Sequence, residues 1–492
     1  MIVIDKKSKV TIIQQIVQEL EERIRSGLLK TNTKLPSIRS LSKEIGVSPM
    51  TVVTAYENLE HKGLIIKIHG KGSFVADFER TWLTHSELSE DKQIPTSNPD
   101  WHDEIQDYVT RSGYVQRVMM TRELGIKNMA IAALHHRFLP TQAIFDSFSG
   151  SLKGDYSVLS KYPPIEGDSA LIEEMIEYLK TKDVGASHDE IFVTSGSQAA
   201  IHLVAETFIG HGDVVVVESP TFPGAIDVFK NRGAIVLEVP MGQQGLRADK
   251  LLTICEKYPV KLVYTMSSYQ NPTGITMELP IMQELLVLAK EHGFIILEDD
   301  SWSDIYFGKL ERPIKGLDTN GHVIHVAGMS KVLGPSFRLS IVVCNRIFKE
   351  KLIAAKSNID SGSPLLNQSM LVPYLNSLKH LQHLTWVRHK LKDLKERSYA
   401  KLKEVLPSNV KVSSPNGGLV FWLTFPYSFD CKQLYYYLLQ EKRITFLLGE
   451  NCYSSIRGKN QMRLCYSYLE EDVMMKCIED IGEAVQRILK NI

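Results

Sequence analysis

Apolar positions recur at helical spacing where this chain begins. Ile13, Ile16, Val17, Leu20 and Ile24 share one face over residues 11–29, which predicts an amphipathic first helix. Leu35-Pro36-Ser37 opens a shorter second helix whose inner face is Ile38, Leu41 and Ile45, and Gly46 stops it. Ser48 caps a third helix with Pro49 at its first position. Val52, Tyr56 and Leu59 face inward from it, and Gly63 follows its end. The pattern then changes from helix to strand. Residues 64–68 and 73–75, joined by His69-Gly70-Lys71-Gly72, read as a two-stranded wing.

After this head, polar and charged residues dominate, and Pro95 to Pro99 would break any helix. Residues 78–127 therefore read as a linker between a head at 1–77 and a body at 128–492. Trp82, Trp101 and Tyr108 suggest that parts of the linker dock on a neighbour. In the body, apolar runs at 191–194, 213–218, 261–266, 294–298, 323–327 and 339–344 predict short buried strands. Helical stretches such as 198–209 and 280–292 lie between several of them. Such alternation predicts an α/β fold, a mostly parallel sheet with helices on both faces and ligands at the strand ends. Residues 380–492, a long helix followed by Gly417-Gly418-Leu419-Val420-Phe421-Trp422, predict a smaller α+β subdomain.

Composition narrows the picture in three ways. A chain of 492 residues, 43% hydrophobic and 23% charged, is a globular protein of two or three domains. No apolar run approaches a membrane span, and Met1-Ile2-Val3-Ile4-Asp5-Lys6-Lys7 lacks the apolar core of a signal peptide, so a cytoplasmic protein is expected. The six cysteines form no CxxC pair and no metal spacing; they predict reduced thiols and no metal site. Net charge is zero but uneven. Residues 1–76 hold 12 Lys+Arg against 7 Asp+Glu, and the remainder holds 45 against 50, which suits a nucleic-acid partner for the head.

Three helices and a β-wing make a winged helix-turn-helix. The second helix of such a motif meets base edges near its N-terminus, which points to Ser48, Met50 and Thr51. Arg39 and Lys71 are placed for phosphates of double-stranded DNA. The stretch LPSIRSLSKEIGVSPMTVVTAYENLEHKGLI followed by GKGSFV resembles the DNA-binding domain of the GntR family of bacterial regulators, over residues 8–76.

The body carries a constellation in a fixed order. Ser195-Gly196-Ser197-Gln198 lies between a strand and a helix, where free N–H groups and the helix dipole favour a phosphate, and Ser197 and Gln198 offer side-chain donors. Asn271-Pro272-Thr273-Gly274 and Asp299-Asp300 follow, then Gly328-Met329-Ser330-Lys331-Val332-Leu333-Gly334-Pro335-Ser336-Phe337-Arg338. Each is weak alone, since glycine-serine turns, NPTG turns and surface lysines are common. In this order they resemble the fold type I aminotransferases over roughly 128–492, which hold pyridoxal 5′-phosphate.

That resemblance assigns expected roles. Lys331, behind Ser330, bonds the cofactor aldehyde, and Arg338 takes phosphate oxygens. Asp299 keeps the pyridine nitrogen protonated, Phe222 stacks on the ring and Asn271 donates to its phenolic oxygen. Tyr162 reaches the phosphate of the partner subunit in a homodimer, and Arg463 clamps a ligand carboxylate. Two positions depart from the family. Ser301 and Trp302 follow the aspartate where a tyrosine is usual, and Gly328 stands where Ser or Thr usually contacts phosphate. Both departures argue against efficient catalysis.

With the GntR-like head, the whole chain resembles the MocR subfamily of regulators. The resemblance implies a DNA-binding transcriptional regulator that senses pyridoxal phosphate or an amino compound, such as an amino acid, through its body. The alternatives are a working aminotransferase with an accessory head, and a DNA-binding protein whose body only dimerises.

Overall fold

The computed structural model describes residues 11–25, 29, 33–61, 64–68, 72–75, 125–152 and 157–489. Trp82, Trp101, Tyr108, Gly63 and Lys71, and the side chain of Arg39, lie outside the described residues. The chain divides into two compact units, with the division between residues 108 and 109.

The head contains helices α1 (Ile12–Arg25), α2 (Ile38–Ile45) and α3 (Pro49–His61), then strands β1 (Ile65–Ile68) and β2 (Gly72–Val75). Ser37 caps α2 by accepting from the Ser40 N–H, and Gly46 ends it in the left-handed region at φ 65°. Only a residue without Cβ enters that conformation at little cost. Ile16, Leu20 and Ile24 of α1 meet Leu41, Val52, Tyr56 and Leu59 in one core. The wing pairs antiparallel from Ile65 with Val75 to Ile68 with Gly72, and β2 also bridges to Lys34 ahead of α2. The expected winged helix-turn-helix is present.

In the body, an eight-stranded sheet is built from β4 (Ile191–Thr194), β5 (Val214–Ser219), β6 (Ile235–Gly242), β7 (Gly245–Leu246), β8 (Val260–Thr265), β9 (Ile295–Asp300), β10 (Val323–Gly328) and β11 (Ser340–Val343). Their spatial order is β4-β11-β10-β9-β8-β5-β6-β7. The run from β10 through β9, β8 and β5 to β6 is parallel. β11 runs antiparallel to both β10 and β4, because only residues 329–339 separate it from β10, too few for a crossover. β6 was not among the expected strands; near the sheet margin most of its residues are half-buried, with only Val239 fully buried, and Glu238 and Pro240 interrupt its apolar run.

The apolar strands read as continuous runs because both their faces are covered. Val215 and Val217 of β5 enter one core with helix Ser197–Phe208, while Val214 and Val216 enter another with helix Leu279–His292. Helix Leu378–Val405 leads into a second sheet of β12 (Lys411–Val412), β13 (Val420–Thr424), β16 (Gln461–Cys465) and β15 (Leu447–Leu448), and helix Glu471–Leu489 packs along Leu378–Val405. A two-residue strand, β3 (Lys127–Asn128), enters the body by pairing parallel with β14 (Ile444–Thr445). No described helix is long and apolar enough to cross a membrane. The six cysteines are free and buried.

Candidate functional site

In the head, the Ser48 hydroxyl accepts from the Thr51 N–H at 3.2 Å and shares a hydrogen with the Thr51 hydroxyl at 2.8 Å. Both side chains are thus engaged with the start of α3, whereas Met50 beside them is 67% exposed and free to meet a partner.

In the body, the loop after β4 and the C-terminal ends of β8, β9 and β10 come together. Gly196 sits at φ 92° immediately before helix Ser197–Phe208. A Cβ there would lie 2.7 Å from Arg338 Nη2, so glycine is what lets the guanidinium reach the helix N-terminus. Arg338 itself is left-handed at φ 47° and donates to the Ser195 carbonyl at 3.3 Å. A cation, a helix dipole and the unpaired first N–H groups of a twelve-residue helix make an anion cradle.

Asp299, on β9, is buried. Its Oδ2 accepts from the Tyr264 hydroxyl at 2.8 Å, and its Oδ1 from Ser301 at 2.5 Å. Burial pushes this carboxyl up; the two hydroxyls hold it down without fully offsetting the loss of water. Ser301 also meets Ser197 at 3.0 Å, and Ser197 meets Ser340 at 3.0 Å. The hydrogens in this chain have one consistent order. An ionised carboxylate only accepts, so Ser301 donates to Asp299, Ser197 to Ser301, and Ser340 to Ser197. The Ser197 hydroxyl, expected as a side-chain donor to phosphate, is therefore committed toward Asp299 while that group is ionised. Gln198 is likewise turned aside, donating to the Gly224 carbonyl at 3.1 Å. What these two residues present to the cradle is their backbone N–H.

The same chain explains Gly328. A Cβ at this position would lie 2.7 Å from the hydroxyl oxygens of both Ser197 and Ser301. Glycine here and serine at 301, read in the sequence as two separate departures, are one packing solution.

Lys331 follows Ser330 in the short helix Ser330–Leu333, and its Nζ donates to the Ala132 carbonyl at 2.6 Å. Burial first, then the nearby Arg463 charge, pulls this lysine down to about 8. Roughly a tenth is then the neutral, nucleophilic amine at pH 7, far more than for an ordinary lysine. Phe222 is half-buried at the start of helix Pro223–Asn231, its ring beside Gly224. Asn271 is buried in a loop tied to β5, since Gln270 donates both to Glu218 at 3.0 Å and to the Pro220 carbonyl at 2.7 Å. Burial raises Glu218 to about 7.

Arg463, on β16, is 5% exposed. It donates to Asn271 Oδ1 at 2.6 Å and to the Ala130 carbonyl at 2.5 Å, while its Nε is buried with no partner among the described residues. Tyr162 is not brought to this group within one chain; its side chain is 90% exposed. Sequence reasoning missed Tyr264, Ser340 and the carbonyls of Ala130 and Ala132. A tyrosine at the end of an apolar strand was the only signal for Tyr264, and backbone carbonyls give none.

A winged helix-turn-helix joined to a body of this topology, with lysine, buried aspartate and anion cradle in place, defines a regulator head on an aminotransferase-type fold. The chain matches the family of class I and II aminotransferases over residues 137–481 and the gntR family of bacterial regulatory proteins over residues 12–75. It belongs to the class I and II aminotransferase family and, with its gntR-type head, to the MocR subfamily of that architecture. It is 31% identical to aromatic-amino-acid aminotransferase 1 of Thermococcus litoralis, covering 67% of this chain and 81% of that one. It is 26% identical to an uncharacterized HTH-type transcriptional regulator of Bacillus subtilis over 98% of both chains. A kynurenine aminotransferase of Pyrococcus horikoshii, solved in complex with PMP, superposes with a TM-score of 0.73 at 28% identity, covering 79% of this chain and 99% of that one. The residues present fit the pyridoxal phosphate that this fold implies: an anion cradle, a buried carboxylate held by hydroxyls, and a lysine with lowered proton affinity.

Proposed function

We propose that this protein is a DNA-binding transcriptional regulator, with a head at 1–77, a linker at 78–127 and a body at 128–492 that binds pyridoxal 5′-phosphate and senses it or an amino compound. The observation that carries the reading is the full-length relationship to an HTH-type regulator, on a body whose lysine and aspartate sites are intact. A head of three capped helices and a wing serves DNA recognition and has no part in a metabolic transaminase.

Lys331 holds the cofactor covalently, and Arg338 with the N–H groups at Ser197 and Gln198, beside Gly196, holds its phosphate. Asp299 pairs with the ring nitrogen, Phe222 covers a ring face and Asn271 meets the ring oxygen. Bound there, pyridoxal phosphate supplies an aldehyde that captures amines and an electron-poor ring. Arg463 receives the carboxylate of an amino acid or related ligand, and Tyr162 of a second copy completes the phosphate site of a homodimer. Its 90% exposure leaves it available for that role.

The second reading, a working aminotransferase, is favoured by the depressed lysine and by the relationship to aromatic-amino-acid aminotransferase 1. Purified protein should be yellow and should shift a duplex carrying its operator, with little turnover of an amino donor and a keto acid. Rapid turnover with no sequence-selective DNA binding would reverse the order of the two readings. In the head, Met50→Ala should change sequence preference, whereas loss of Arg39 or Lys71 should weaken binding to all sequences and reduce the salt slope by about one each.

A further inference from the structure

The segment just before the body's first long helix crosses the candidate site as backbone. Its N-terminal end is fixed by β3, with Lys127 N–H on the Arg443 carbonyl at 2.7 Å and Met129 N–H on Thr445 at 2.8 Å. Its far end is fixed by His135 N–H on the Ser467 carbonyl at 2.7 Å and by Ser467 Oγ on the Ala133 carbonyl at 2.9 Å. Between these anchors the Asn128 side chain accepts from the N–H groups of Ala130 and Ile131. That turns the carbonyls of Ala130 and Ala132 toward the site, where they take the two cations, Arg463 at 2.5 Å and Lys331 at 2.6 Å.

We infer that residues 127–133 are a strap with two latches, released in turn by the cofactor at Lys331 and by a carboxylate at Arg463, so that both ligands act on the strand through which the head's linker enters the body. The inference rests on the cofactor and carboxylate roles proposed above. Lys331 gives up both amine hydrogens, as water with the aldehyde oxygen, when it condenses with an aldehyde, and no N–H then remains for Ala132. A carboxylate offers Arg463 two charged acceptors in the geometry of its fork, against the two neutral oxygens of Ala130 and Asn271. Losing both latches leaves the middle of the strap held by the Asn128 side chain and by Cys465 N–H on the Met129 carbonyl at 2.8 Å. The two-residue strand β3 is the next contact toward the N-terminus, and residues 76–124 lead from there to the head.

The test is amide hydrogen exchange of the full chain, followed on the peptide containing Lys127 to His135, with and without pyridoxal 5′-phosphate. Borohydride fixation of an aliquot reports how much Lys331 is occupied. Loading should speed exchange at Met129 and Ala133 roughly tenfold, the scale of a lost charge-assisted hydrogen bond in a local opening. Lys331→Ala without cofactor should do the same, and Arg463→Met in the loaded protein should add a comparable step. Exchange in β5 should stay unchanged, which separates strap opening from loss of fold. Strap amides that keep their rate in the loaded wild-type chain would overturn the strap while leaving the cofactor site standing. Absence of label on Lys331 would instead overturn the functional reading, and Lys331→Ala would still report on the latch.

Discussion

The two sides of the site are built by different means. The side proposed to take the ring and phosphate stands on the ends of adjacent strands of the large sheet: Asp299 on β9, Tyr264 on β8, Gly328 on β10 and Ser340 on β11, with Gly196 in the turn after β4 and Ser197 opening the helix that follows. These strands are buried on both faces and hold their side chains through packing. The side proposed to take a carboxylate is Arg463 on the small sheet, facing a strap held there by backbone hydrogen bonds. The first side is fixed by the core; the second can rearrange by exchanging a few polar contacts. Rigid elements suit a resident cofactor, and an exchangeable contact suits a signal.

The sharpest way to break this comparison is to remove the lysine proposed to bond the cofactor on the rigid side. Lys331→Ala should abolish borohydride-fixed label completely, with wild-type label mapping to the peptide that contains Lys331, while DNA binding without ligand persists. Label on another lysine would show that the strand ends do not hold the cofactor.

Next in size is the exchangeable side. Arg463→Lys retains a charge but loses the bidentate fork, so amino acids should shift the cofactor absorption only at roughly 30-fold or higher concentration, matching a loss of ~2 kcal/mol or more. A response at unchanged concentration would mean that the signal enters elsewhere.

Gly328→Ser then asks how rigid the first side is. Its Cβ would meet two hydroxyl oxygens at 2.7 Å, so affinity for pyridoxamine 5′-phosphate should fall by about 1–3 kcal/mol. Adding Ser301→Gly should restore part of it by opening the space. If Gly328→Ser alone binds more tightly, the serine chain is not what excludes a side chain there.

The smallest expected effect links the two sides. Burial and the Arg463 cation keep Lys331 near 8, so the rate of cofactor capture should rise with pH and level off above that value. A positive neighbour disfavours the charged lysine, so Arg463→Met should move the midpoint upward and slow capture a few-fold near pH 7.5. An unmoved midpoint would mean that burial alone sets it.

Much of this protein was legible along the chain. Amphipathic spacing, Gly46 as a helix stop and the Ser48-Pro49 start specify the head, because caps and periodicity act within a few residues. The buried strands were legible as apolar runs, and Lys331, Asp299 and Arg338 as an ordered set, because each occupies a strand end or the turn beyond it. Tertiary structure alone decided the rest. It set Tyr264 against Asp299 across neighbouring strands, and it aligned Ser340, Ser197 and Ser301 from three separate segments. It also laid the carbonyls of Ala130 and Ala132 on cations more than 190 residues away. Hydrogen bonds depend on distance and direction in space, and a backbone carbonyl is the same at every residue, so no pattern in the sequence could mark which two would close the site.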